Sequence, residues 1–279
     1  MSAAGARPWL APGTLFGAAV VALYACLALA SLTSVFDGAL GLDVATRLAP
    51  PSPRHWFGTD PLGRDVFAMV AVGARTSLAV AVGAVLLGMA LGTPLGLAAA
   101  ARGGLTDELV ARGNDLLFAF PALLLAVLLS ASLGPGALTA VIAIGVFNVP
   151  VFARLVRGSA RSLMTRDFVL AARVAGRGPL AIAFVHVLPN LAGLLLVQAA
   201  IQLSLGIAAE AGLSYVGLGA QPPAPSWGRM LNDAQTLVGV APWLAWFPGL
   251  ALALAVLALG LLGDGLARAL DPRSAPGRP

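Results

Sequence analysis

The sequence predicts an all-α integral membrane protein with six transmembrane helices, and three observations lead there. Hydrophobic residues fill 59% of the 279 positions and charged residues only 10%, against roughly 25% charged in soluble domains. Long stretches contain no Asp, Glu, Lys or Arg at all. The basic residues between those stretches are spread unevenly, in the manner that orients helices in a bilayer.

The charge-free runs are Leu15–Phe36, Thr76–Ala101, Leu116–Ala153, Val187–Ala209 and Ala234–Gly263. One span needs roughly 17–25 apolar residues. The third run has 38 residues and contains Gly134-Pro135-Gly136, so it reads as two helices joined by a hairpin, which brings the total to six. Arg7 precedes the first run as in a signal peptide, but that run exceeds the ~7–15 apolar residues of such a peptide, so it reads as an uncleaved helix. The organisation expected is an N-terminal tail and first helix over 1–36, an external loop over 37–75, a core over 76–264 and a tail over 265–279. Pro50, Pro51 and Pro53 mark the external loop as irregular, and Gln221-Pro-Pro-Ala-Pro225 marks another loop between Ser214 and Trp243. Trp227, Trp243 and Trp246 are expected at a membrane–water interface.

All 17 basic residues are arginine. With both termini in the cytoplasm, twelve of them (Arg7, Arg102, Arg112, Arg154, Arg157, Arg161, Arg166, Arg173, Arg177, Arg268, Arg273 and Arg278) lie inside and five (Arg47, Arg54, Arg64, Arg75 and Arg229) outside. The positive-inside rule favours that orientation. The segment 154–190 is then a cytoplasmic loop.

Several functions are disfavoured by what is missing. No basic and aromatic residues interleave as on a nucleic-acid-binding face. Cys26 is the only cysteine, so neither an intrachain disulfide nor a cysteine metal site is available. Ion-coupled carriers usually keep ionisable residues within the bilayer, and the runs hold none. A phosphate-binding Gly-x-x-x-x-Gly-Lys-Ser/Thr loop is absent, as is lysine itself. Any nucleotide hydrolysis belongs to another chain.

Gly88, Gly92 and Gly96 recur every four residues and form a small-residue face for helix packing, with Pro94 as a candidate kink. Gln198 and Gln202 share one face of the fifth span, which Gly206 continues. Uncharged polar groups in hydrocarbon need partners, so this face, with Asn148 of the fourth span, either lines a translocation path or bonds a neighbouring helix. In the cytoplasmic segment, Asp167-Phe-Val-Leu-Ala-Ala-Arg-Val-Ala-Gly176 reads as a short helix stopped by Gly176 and Gly178-Pro179.

Ala171-Ala172, followed at Gly176 and then at His186-Val-Leu-Pro189, resembles the cytoplasmic signature of bacterial ABC importer permeases. His55-Trp-Phe-Gly-Thr-Asp-Pro-Leu-Gly-Arg-Asp65 is similar to a segment of the dipeptide, oligopeptide and nickel permeases. So is Glu210-Ala-Gly-Leu-Ser-Tyr-Val-Gly-Leu-Gly219 with Gln221-Pro-Pro-Ala-Pro-Ser-Trp-Gly228. Their order and spacing match the C-type subunit, from Leu15 to Arg273. The resemblance implies the type I importer permease fold in a bacterial inner membrane. It also implies a coupling helix, with Asp167, Leu170, Ala171, Ala172, Arg173, Gly176, His186, Leu188 and Pro189 as the ATPase-coupling residues. The implied partners are a second, different permease, two ATPase subunits that carry ATP and Mg, and an extracytoplasmic solute-binding protein. This chain would bind no cofactor. One position departs from the signature: Leu170 stands where Glu is usual, which removes a charge-assisted contact to the ATPase.

The expected solute is a dipeptide or oligopeptide, with nickel or another metal chelate as the alternative. Two other readings are weaker. An intramembrane serine protease would use Gly212-Leu-Ser214, but His55 and His186 fall in loops on opposite sides. An ion-coupled carrier lacks its intramembrane charges. A cation site at His55, Asp60 and Asp65 competes with the reading of those residues, and of Arg64, as loop-shaping groups.

Overall fold

The computed structural model describes residues 11–33, 36 and 40–270. Expectations for residues 1–10 and 271–279, with Arg7, Arg273 and Arg278, lie outside the described residues. The elements are α1 Pro12–Ala30, α2 Val66–Arg102, α3 Gly104–Ala119, α4 Ala122–Leu133, α5 Ala137–Leu163, α6 Asp167–Val174, α7 Pro179–Ile182, α8 Leu188–Tyr215, α9 Trp227–Ala234 and α10 Trp243–Leu270. Among the described residues there is no strand beyond a single bridge between Thr59 and Asp65. Five helical stretches are long and apolar enough to cross a membrane, and α3 with α4 makes a sixth if that pair is one span.

Helix boundaries differ from the charge-free runs, and several helices take in charged residues. α2 starts at Val66, ten residues before Thr76, and Asp65 caps it by accepting the Ala68 N–H. The expected external loop therefore ends at Asp65, not at Arg75. Arg75 sits within the helix and donates to the Ser31 carbonyl at 3.0 Å. α10 begins at Trp243 rather than Ala234 and continues through Asp264 and Arg268 to Leu270, so the first residues of the expected tail are helical. The expected cytoplasmic loop also narrows, because 154–163 completes α5 and 188–190 opens α8.

The expected span from Leu116 to the hairpin is not one helix. α3 begins at Gly104 and meets α4 at an 85° bend, where Phe120 and Pro121 are extended. α3 carries charges that the apolar-run criterion excluded. Arg157 and Arg161 of α5 both bond Asp107, and Arg154 bonds Asp115 at 2.6 Å. The Gly134–Gly136 hairpin then leads into α5.

α2 and α5 pack at the centre. A Cβ on Gly88 would sit 2.3 Å from the Asn148 Cβ, one on Gly92 2.4 Å from the Val149 oxygen and one on Gly96 2.5 Å from the Ala153 oxygen. Only glycine allows the two backbones this close. One apolar cluster, around Leu97, Phe152, Val156, Val169 and Val187, lies at the end of the bundle where α6 sits. Another, around Tyr24, Val70, Trp227 and Leu244, lies at the end where α9 sits.

Candidate functional site

The segment between α5 and α8 is built on one inward side chain. Val169 of α6 is 0% exposed and packs with Val156, Ala160, Ile182 and Val187. A helix this short lacks stability of its own, so that packing holds it. Asp167 in the first turn and Arg173 in the last suit the helix dipole. The helix closes with paired bonds from Gly176 N–H to the Arg173 carbonyl and from Arg177 N–H to the Ala172 carbonyl. Gly176 has φ 77°, the left-handed conformation this closure requires. Opposite Val169, Leu170 and Ala171 are exposed, and Val174 is 90% exposed.

The residues of the signature divide by direction. Asp167, Leu170, Ala171, Arg173, Gly176 and Pro189 are exposed. Ala172 and Leu188 are half-buried against the apolar cluster. His186 lies in a π-helical turn, Ala183–Val187, that leads into α8. Its Nε2 is buried without a hydrogen-bond partner, and its carbonyl accepts from Asn190 Nδ2 at 2.7 Å.

Gln198, Gln202 and Asn148 come together in one string. Gln198 Nε2 donates to Gln202 Oε1 at 3.4 Å, and Gln202 Nε2 donates to Asn148 Oδ1 at 2.7 Å. Gln202 and Asn148 are buried between α8 and α5, while Gln198 is half-buried. The string therefore bonds two helices and opens at one end.

Sequence reasoning missed the buried group at the other end of α8. Glu210 is fully buried within α8, which continues past the charge-free run that ended at Ala209. Its Oε2 accepts from Ser77 Oγ at 2.7 Å and its Oε1 from Ser214 Oγ at 2.6 Å. Glu210 and Ser214 stand four apart on one apolar helix, a spacing that places them on the same face and could have signalled the pair. Trp227 also departs from expectation. It is buried, donates from Nε1 to the Val70 carbonyl at 3.0 Å and meets the Tyr24 ring at 5.1 Å. Its one polar group is satisfied inside, so no water-facing position is needed. Trp246, by contrast, is 75% exposed.

Residues 92–276 match the family model described as binding-protein-dependent transport system inner membrane component. The chain belongs to that family. It is 45% identical over 223 residues to the glutathione transport system permease protein GsiD of Pectobacterium atrosepticum, covering 80% of this chain and 74% of that one. It is 44% identical over 229 residues to the dipeptide transport system permease protein DppC of Alkalihalophilus pseudofirmus, covering 82% and 75%. A chain of the MetNI methionine ABC transporter, solved in an inward-facing conformation, superposes with a TM-score of 0.60 at 20% identity, over 73% of this chain and 97% of that chain. That likeness establishes the type I importer fold. The chain is thus a multi-pass permease subunit of an ABC importer.

In this permease the loop before α2 shapes itself. Asp60 Oδ1 accepts the N–H groups of Leu62 and Arg64 at 2.8 Å, and Oδ2 accepts from Arg64 Nε at 2.7 Å. His55 Nδ1 pairs with Asp65 at 2.8 Å. The carboxyl oxygens of the alternative cation site are thus already engaged by protein donors. Ser214 Oγ, the nucleophile of the alternative protease, is likewise engaged, by Glu210 and the Ala220 N–H. A cavity of about 190 Å³ lies between this loop and α9, lined by Asp60, Arg64, Met69, Met230, Asp233 and Leu244 among others. Burial holds the Asp233 carboxyl above its ordinary range, and the nearby Arg229 and Arg64 offset part of that rise.

Proposed function

We propose that this permease is one of two different membrane subunits in an ATP-driven importer of dipeptides or oligopeptides. It works in a bacterial inner membrane with both termini and the α6 end in the cytoplasm. One of two ATPase subunits docks on the exposed strip of α6, the two together hydrolyse MgATP, and this chain binds no cofactor. A solute-binding protein delivers the peptide to the α9 end.

The observation that carries the coupling role is the divided α6, with Val169 locked into the bundle and Leu170, Ala171 and Val174 facing away from it. An apolar strip aimed away from a membrane-spanning bundle calls for a protein partner. Leu170, where related loops carry Glu, makes this docking apolar. The peptide assignment is supported by extended similarity to permeases named for glutathione and for dipeptides, which also weighs against a metal chelate. The string from Gln198 to Asn148 suits such a solute, because neutral side-chain amides bond peptide groups without selecting side chains.

The test is uptake into vesicles holding this chain, its neighbouring permease, the ATPases and the binding protein. Labelled dipeptide is expected to enter with ATP, while nickel chelate is not. Inserting two residues after Ala172 should leave ATP hydrolysis running and stop uptake. Normal uptake by that insertion variant would remove the coupling role.

A further inference from the structure

A glutamate within an apolar, membrane-length helix is costly to keep unless it is fully hydrogen-bonded. Glu210 is the only such residue in α8, and its bonds extend beyond the helix. On one side, Ser214 Oγ donates to the carboxyl group at 2.6 Å and accepts the Ala220 N–H at 3.1 Å. On the other, Ser77 Oγ donates to it at 2.7 Å and accepts the Trp227 N–H at 3.4 Å. One carboxyl group therefore holds both ends of the segment 220–227 through two serine relays.

That segment needs outside support. Pro222, Pro223 and Pro225 have no N–H to donate, so it builds no hydrogen-bond ladder of its own. It also sits tight on α8. A Cβ on Gly219 would lie 2.1 Å from Ser214 Oγ, and one on Gly228 2.3 Å from the Ala211 oxygen. α9 starts where the segment ends, with Ser226 Oγ accepting the Arg229 N–H at 3.3 Å. Met230 and Asp233 of α9 then form one wall of the cavity against the external loop. Glu210 thus helps to place α9 and that cavity, beside the Trp227 indole on the Val70 carbonyl and Asn232 on the Tyr215 carbonyl.

We propose that Glu210 is a positioning residue for transport. Through Ser214 and Ser77 it fixes the segment 220–227 and α9 as the surface that responds to the loaded binding protein. The proposal rests on the reading that the binding protein meets the α9 end. Glutamine at this position retains size and one acceptor oxygen but leaves one relay with a misdirected hydroxyl.

The experiment uses the complete importer in proteoliposomes, with Glu210→Gln and, separately, the double variant Ser77→Ala/Ser214→Ala. ATP hydrolysis is titrated with binding protein. In parallel, a membrane-impermeant maleimide labels Ala234→Cys in a Cys26→Ser background, Ala234 being buried on α9. Both variants are expected to speed labelling about tenfold, the scale of one lost hydrogen bond. Both should also raise the half-saturating concentration of binding protein several-fold, leaving hydrolysis at saturation close to wild type. A merely structural loss would lower the maximal rate without that split. Unchanged half-saturation in both variants overturns the proposal, as does a fall in maximal rate alone. If the unaltered importer ignores its binding protein, the functional reading fails instead. Labelling still decides the relay in that case, and an unchanged rate in both variants overturns it.

Discussion

Two segments interrupt the helices at opposite ends of α8, and they are held by opposite chemistry. At the α6 end, the anchor is an aliphatic side chain in an apolar cluster, Val169 against Val156, Ala160 and Val187. At the α9 end, the anchor is a buried carboxyl group with two serines, reinforced by the Trp227 indole bonded to the Val70 carbonyl. Apolar packing has no preferred direction, so α6 can tilt without losing a specific bond while its outward strip stays available. Hydrogen bonds depend strongly on angle, so α9 has one place or none. The α6 end is built to comply and the α9 end to hold register.

Four substitutions would break or sharpen this contrast. The largest effect belongs to the rigid end. Trp227→Ala should cost about 3–5 kcal/mol in stability, read as a lowered unfolding midpoint of the detergent-solubilised importer, because both ring packing and the indole bond are lost. Val169→Ala should cost about 2 kcal/mol, the scale of two buried methyl groups. It should free α6 locally, so that proteolysis near Gly176 accelerates while the α9 end stays protected. If the α9 end loosened equally, the two anchors would not be separate. Val174→Asp, on the exposed side of the same helix, should change stability by less than about 0.5 kcal/mol. It should nevertheless stop ATP-driven uptake and weaken ATPase retention during purification.

The smallest effect concerns Asp233. Its carboxyl is raised on folding, so the ionised form weakens the folded state above the folded value. That penalty fades as pH falls below the unfolded value. Asp233→Asn should therefore raise the unfolding midpoint slightly at neutral pH, with the gain vanishing near about pH 4. A gain that persisted in acid would assign the effect to something other than this carboxyl.

Much of this architecture was legible from the residues. Apolar runs located the spans, and helix formers followed by Gly176 located α6 and its closure. What escaped shares one cause, since each missed feature depends on a partner far away in sequence. Arg75 looked like a loop residue until Ser31 was seen to accept its guanidinium. The start of α3 was hidden by Asp107 and Asp115, whose arginines lie on α5. Glu210 stood within a recognised segment, yet its meaning depends on Ser77 of α2. Trp227 was assigned to the interface by its chemistry alone, before Val70 supplied an internal acceptor. The direction in which each signature residue of the α6 segment points was likewise invisible, because it follows from Val169 finding its cluster.

The glycine contact between α2 and α5 has a mechanical consequence. Its 37 residues make α2 about 55 Å long, well beyond the ~30 Å of a hydrocarbon core. With Asn148, Val149 and Ala153 seated on Gly88, Gly92 and Gly96, neither helix can slide or roll past the other without collision. The close contact ties the two helices together along this stretch although each carries an interior proline, Pro94 and Pro150, and α2 is capped at its start by Asp65. A displacement of one helix along this contact must therefore carry the other with it.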